Sequence, residues 1–185
     1  MTMPADEPAE VPADFARFYS ATVARVLGVA RRTAAGDRDL AWDATQEAYA
    51  RMLQRWPQRQ RLWLADNRRY ASAVAVNLVI DAYRQRGRGA ELDDETDIGF
   101  DDPGFAAVLD ELALLGAVRD ALGRQPARRR AVGVLYLIEG LSTAEIANAL
   151  GMAESTVRTH VERLRVVLKP YVARIMNDEQ GGGRR

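Results

Sequence analysis

Apolar side chains in this chain recur at intervals of three and four, the period of a helix buried on one side. Residues 13–32 carry Phe15, Phe18, Tyr19, Val23, Val26 and Leu27 in that rhythm, and Gly36-Asp37 interrupts it. Residues 39–56 repeat it with Leu40, Ala44, Tyr49, Met52, Leu53 and Trp56, and Pro57 is expected to end that helix. A polar, basic stretch over 57–69 holds Leu62, Trp63 and Leu64. A third helix is expected over 70–86, with Val74, Leu78 and Tyr83 inward. Further helices are expected over 106–122 and 127–139, with Pro126 in the first turn of the latter. Alternation of period two is nowhere sustained, so the predicted class is all-α.

The most informative stretch is 141–168, LSTAEIANALGMAESTVRTHVERLRVVL. Ser142 followed three residues later by Glu145 is a capping box. Ile146, Ala147 and Leu150 follow at helical spacing, and Gly151 stands where a left-handed residue ends a helix most cheaply. A second helix from Glu154 places Val157, Val161, Leu164 and Leu168 on one face. Ala147, Gly151 and Val157 therefore have the spacing of a helix-turn-helix. Its second helix offers Ser155, Thr156, Arg158, Thr159, His160, Glu162 and Arg163 to a major groove. A plain helical hairpin with a solvated face shares that spacing, so the motif alone leaves both readings open.

Between these parts lies ELDDETDIGFDDPG, acidic and poor in large apolar residues, which reads as a flexible linker. The expected organisation is a disordered tail over 1–12, a helical domain over 13–88, the linker over 89–105, a second helical domain over 106–172 and a flexible tail over 173–185. Arg plus Lys balance Asp plus Glu at 26 each, so there is no basic signature of the whole chain. DNA binding depends on local patches, and neutrality does not oppose it. Cysteine is absent and there is one histidine, which removes disulfides, thiolate chemistry and Cys- or His-rich metal sites. No cofactor is expected. No phosphate loop or nucleophile–base pair points to an enzyme. The N-terminus has the form of neither a signal peptide nor a membrane span, so a protein of the cytoplasm, without membrane insertion, is expected.

Three segments, in order, carry a resemblance. DATQEAYARMLQRW (43–56) is similar to a D-x-x-Q-E-x-aromatic segment. YASAVAVNLVIDAYRQRGR (70–88) is similar to a helix with Asn, an apolar residue and a basic end. LGRQPARRRAVGVLYLIEGLSTAEIANALGMAESTVRTHVERLR (122–165) carries the Pro turn, the E-G-L-S step, A-E-I-A and S-T-V-R. Together they resemble the extracytoplasmic-function group of bacterial sigma factors over about residues 14–168, the first two as region 2 and the third as region 4. Ala44-Thr45, Tyr70 and Ala153 depart from that pattern, which usually has Leu-Val, Trp and Ser there. Ala44 is expected to weaken a polymerase contact, and Ala153 to give up a helix cap.

The resemblance implies an alternative sigma factor that binds core RNA polymerase and directs promoter recognition and opening. Asp43, Gln46 and Glu47 would meet the β′ clamp helices. The loop 66–69, with Asn67, Arg68 and Arg69, would take a base flipped from the −10 element. Tyr70 would stack at the strand junction, Asn77 would read a base edge, and Arg84, Arg86 and Arg88 would hold phosphates. Ser155, Thr156, Arg158, Thr159 and Arg163 would read the −35 duplex. Arg128 to Arg130 would touch the DNA backbone or only solubilise their helix. Region 4 would dock on the β flap; Val134, Leu135 and Leu137 are expected in the core instead. The acidic linker would thread the basic polymerase channel. An anti-sigma factor is a further partner the family allows, to which no residue here points. The alternative is a stand-alone helix-turn-helix regulator, which would dimerise and bind a palindrome.

Overall fold

The computed structural model describes residues 12–86 and 111–181. Expectations for residues 1–11, Arg88, the acidic linker and the last four residues lie outside them. All eight elements among the described residues are α-helices. α1 (Ala13–Thr33), α2 (Arg38–Gln54), the short α3 (Trp56–Arg59) and α4 (Leu64–Gln85) form one group. α5 (Glu111–Gly123), α6 (Ala127–Leu137), α7 (Thr143–Leu150) and α8 (Glu154–Gly181) form the second.

The first group closes around aromatic rings. Phe15 and Phe18, one turn apart on α1, both lie 5.1 Å from the Trp56 ring, the first edge-on and the second stacked. Such pairs add to the area burial of each ring. Tyr49 packs beside them and shares a hydrogen bond of 2.7 Å with the buried Thr22 hydroxyl. Asp14 accepts from Trp56 Nε1 at 3.0 Å, tying the start of α1 to α3. Asp37 caps α2 by accepting from the Leu40 amide at 2.9 Å. The same carboxylate receives Arg86 Nη1 at 2.9 Å, which pins the far end of α4.

Three boundaries differ from the sequence-based expectation. Pro57 does not simply end α2; it stands in the first turn of α3, where a missing N–H costs nothing. α4 begins at Leu64, six residues before Tyr70, so 66–69 is helix and not loop. Leu64 to Asp66 are exposed and the buried Asn67 is polar, so the apolar periodicity has nothing to register there. α8 runs on to Gly181, through Pro170, into a stretch expected to be a flexible tail. Val161, Leu164 and Leu168 anchor it, and each further residue costs little once a helix is established.

The two groups are packed on each other. Val29 of α1 and Ala73, Val76 and Ile80 of α4 share a core with Val132, Val134 and Leu135 of α6, Ile146 and Leu150 of α7, and Val157 and Val161 of α8. Val134 and Leu135 are buried as expected; Leu137 is about half exposed and is not core. Gly133 allows α6 to approach closely: a Cβ there would stand 2.8 Å from Leu122 Cδ2 and 3.0 Å from Leu164 Cδ1. No helix among the described residues is long and apolar enough to cross a membrane.

Candidate nucleic-acid and polymerase interface

The helix-turn-helix forms as its residues dictate. Ser142 Oγ accepts from the Glu145 amide at 3.3 Å, and Glu145 Oε2 accepts from the Ser142 amide at 2.8 Å and from its hydroxyl at 2.6 Å. These bonds hold the Glu145 carboxyl below the usual carboxylate range. Gly151 ends α7 at φ 60°, ψ 41°, a left-handed conformation that disfavours any Cβ. Val157 is fully buried and seats α8 on α7. Glu154 joins the two helices: Oε1 accepts from Thr143 Oγ1 at 2.8 Å and from Arg158 Nη2 at 2.7 Å. Those two donors also lower its carboxyl pKa.

Ser155, Thr156, Arg158, Thr159 and Arg163 are all exposed on the outer side of α8. Thr159 Oγ1 is turned back to the Ser155 carbonyl at 3.0 Å. His160 was expected among these polar side chains; it is buried instead, because its position adjoins the Val157–Val161–Leu164 stripe that packs inward.

On α2, Asp43 and Glu47 are exposed and Gln46 is half-buried, with Nε2 3.4 Å from the Tyr19 hydroxyl. Glu47 pairs with Arg51 at 2.7 Å. Ala44 and Thr45 face the core, so the departure at Ala44 does not touch this surface.

On α4 the expected residues separate. Asn67 is 2% exposed, and its amide is used within the fold: Nδ2 donates to the carbonyls of Arg59 at 3.0 Å and Leu62 at 3.4 Å, and Oδ1 accepts from Arg59 Nε at 3.1 Å. It shapes the turn before α4 and offers no free edge to a base. Arg68 Nη1 binds Glu139 Oε2 at 2.6 Å, and Arg69 Nε donates to the Glu139 carbonyl at 3.2 Å. Tyr70 accepts from Arg55 Nη1 at 2.7 Å, and the Arg59 guanidinium lies 4.0 Å from its ring centroid. Asn77 is half-buried with Nδ2 3.5 Å from Asp81 Oδ2. Arg84 pairs with Asp81, and Arg86 with Asp37, both at 2.9 Å.

Tyr70 and Asn77 come together in a cleft of about 820 Å³ whose first wall also carries Arg51, Arg55, Arg59 and Arg69. The opposite wall belongs to α7 and the connection leading into it, with Leu141, Glu145, Asn148 and Ala149. Asp43, Gln46 and Glu47 do not line it, nor do the exposed groups of α8.

Sequence reasoning missed the residues that fasten the two helical groups together. Arg130, expected at a DNA backbone or in solvent, is buried: Nε donates to the Thr33 carbonyl at 2.9 Å and Nη1 to the carbonyls of Gly123 and Gln125. Burial pulls its pKa down, and Tyr83 opposes that. Glu139, whose side chain is wholly buried, accepts from Arg25 and Arg68. The one available signal was a lone Glu closing the apolar run from 131, where a solvated charge would be out of place.

Residues 115–168, which hold most of this second group, match the family described as sigma-70, region 4. Over 157 residues the chain is 32% identical to the ECF RNA polymerase sigma factor SigE of Mycolicibacterium smegmatis. That alignment covers 81% of this chain and 58% of the relative, so the chain spans less than two thirds of the relative's length. The region 4 helix-turn-helix and this similarity across both helical groups make the chain similar to the extracytoplasmic-function sigma factors.

Proposed function

We propose that the chain is an alternative sigma factor: it binds core RNA polymerase in the cytoplasm and directs promoter recognition and opening, without catalysing a reaction itself. The observation that carries this is the capped α7–Gly151–α8 unit, which leaves Ser155, Thr156, Arg158, Thr159 and Arg163 exposed together on one helix. In a major groove, Arg158 and Arg163 can meet guanine O6 and N7 or a phosphate, and the hydroxyls can meet either base or backbone. Arg158 must first leave Glu154, which only redirects an exposed ion pair of small worth.

Asp43, Gln46 and Glu47 suit an Arg-rich partner through charge-assisted hydrogen bonds, and the β′ clamp helices are that partner in this reading. Region 4 in turn docks on the β flap. Tyr70 and Asn77, in an arginine-lined cleft, suit an unpaired −10 strand: the ring stacks, the amide reads a base edge, and Arg69 in the cleft and Arg84 outside it, farther along α4, neutralise phosphates. Asn67 contributes by holding the turn before α4 in place. Opening then needs no chemistry. Groups that bind only unstacked bases shift the duplex toward the melted state. Joining two weak modules through polymerase raises their combined selectivity. The domain roles follow: 13–88 for polymerase and the −10 element, 106–172 for the −35 element.

The test is gel filtration with core polymerase, with and without the Asp43→Ala/Glu47→Ala change. Co-elution that the double change abolishes supports the reading. A protein that ignores core polymerase but binds a palindrome as a dimer is a stand-alone regulator.

A further inference from the structure

The wall of the cleft that α7 supplies has no part in the strand contacts just proposed. At about 820 Å³ the cleft has the size of a small-molecule site. Its two sides differ in charge. Arg51, Arg55 and Arg59 recur at intervals of four from α2 to α3, and all three line it. Glu145 stands on the α7 side. Its Oε2 is taken by the Ser142 amide and hydroxyl, which leaves Oε1 for another donor. Asn148, about one turn on and exposed, has an amide with no hydrogen bond among the described residues. On the arginine side, the Arg59 guanidinium lies 4.0 Å from the Tyr70 ring centroid, a planar stack that a base can extend. Guanidiniums outnumber carboxylates in the lining by four to two, Asp66 being the second carboxylate.

We propose that the cleft is a binding site for a purine nucleoside polyphosphate. The phosphates lie along Arg51, Arg55 and Arg59, whose planar guanidiniums hold them through charge-assisted hydrogen bonds. The base extends the Arg59–Tyr70 stack and turns its edge to α7. There a ring N–H or amino group donates to Glu145 Oε1, and the Asn148 amide can both donate and accept. Charge selects this ligand over a longer strand on the α7 side. A mononucleotide carries its charge at one end and can turn a neutral base toward Glu145, whereas a continuous backbone would bring phosphates to that carboxylate. The site itself is independent of the sigma-factor reading. Its consequence rests on that reading: a nucleotide stacked at Tyr70 excludes the −10 strand, so the nucleotide level sets how much of the protein is free to open a promoter.

Isothermal titration calorimetry of the full chain with GTP, ATP and inorganic tripolyphosphate tests the site. GTP or ATP should bind about tenfold or more tightly than tripolyphosphate, which has no base. Arg51→Ala/Arg55→Ala, with helix content unchanged by circular dichroism, should weaken all three ligands about tenfold. Glu145→Gln/Asn148→Ala keeps a side chain at position 145 that can close the capping box. It should erase the advantage of the nucleotides and leave tripolyphosphate binding as it was. Nucleotides that bind no better than tripolyphosphate, an advantage that survives the α7 changes, or parent-level affinity in the folded arginine variant overturns the proposal. The bound nucleotide should also be displaced by a single-stranded −10 oligonucleotide. Nucleotide binding that meets the other expectations without displacement upholds the site and removes the −10 strand from this cleft, so the two readings fail separately.

Discussion

Asn67 and Arg59 hold each other twice: the Asn67 amide donates to the Arg59 carbonyl at 3.0 Å and accepts from Arg59 Nε at 3.1 Å. Through this pair the turn between α3 and α4 is fixed, and Arg59 is set over the ring of Tyr70. Replacing Asn67 by Ala leaves two carbonyls of that turn without their donor. The expected cost is about 1–3 kcal/mol, as for other buried polar groups left unsatisfied. Thermal or urea unfolding measures it. Single-strand binding should weaken as well, because Arg59 loses its anchor, and Asn67→Asp should not restore either property.

The capping box makes a prediction with a pH sign. Ser142→Ala should cost about 1 kcal/mol, the usual worth of an N-cap. Glu145 has its carboxyl pKa lowered chiefly by the Ser142 hydroxyl and amide. A carboxyl depressed in the folded state contributes stability above its unfolded pKa and loses it as pH falls through the folded one. The stability gap between Ser142→Ala and the parent should therefore narrow in acid. Denaturant titrations at neutral and strongly acidic pH check this; a gap that widens in acid contradicts it.

The helix-turn-helix was legible in the sequence because every step of it is local. Ser142 and Glu145 are three residues apart, and Gly151 marks its own conformation. Long-range polar contacts were not legible. Glu139 finds Arg25 and Arg68 across 114 and 71 positions of the chain, and no spacing rule connects them. The start of α4 was missed because its first turn carries little apolar surface, and Asn67 is buried for its hydrogen bonds. Arg130 was read by composition, as one of three arginines in a row; only the packing of α1 on α6 separates it from its exposed role.

Tyr49 supplies an alkaline counterpart. Burial pushes its phenol up to about 12, with the Thr22 hydrogen bond acting against that rise. In the unfolded chain a tyrosine ionises near pH 10. Between those values the unfolded state has lost a proton that the folded state keeps, so stability falls as pH rises. The parent should lose stability over that window, and Tyr49→Phe should lose less. Ultraviolet titration of the phenolates should show one tyrosine ionising late, and that late component should vanish in Tyr49→Phe.

The exposed arginines of α8 predict a division of labour at the −35 duplex. An arginine paired to guanine should cost about tenfold or more in affinity when changed to Ala, and only for sequences holding that guanine. One that binds phosphate should weaken all sequences alike and lower the salt dependence. Arg158→Ala and Arg163→Ala, measured in the polymerase complex against promoter variants at several salt concentrations, assign each residue to one class. Equal affinity of both variants and the parent on every sequence removes them from the interface.

The most direct measurement of the central claim is run-off transcription by core polymerase on a pool of promoter fragments, with and without this chain. The account predicts transcripts that require the protein and start at defined positions. Those transcripts should be lost in Asn77→Ala, and lost or redistributed among promoters in Arg158→Ala. Transcription that is indifferent to the protein, while the protein joins no complex with core polymerase, contradicts the account.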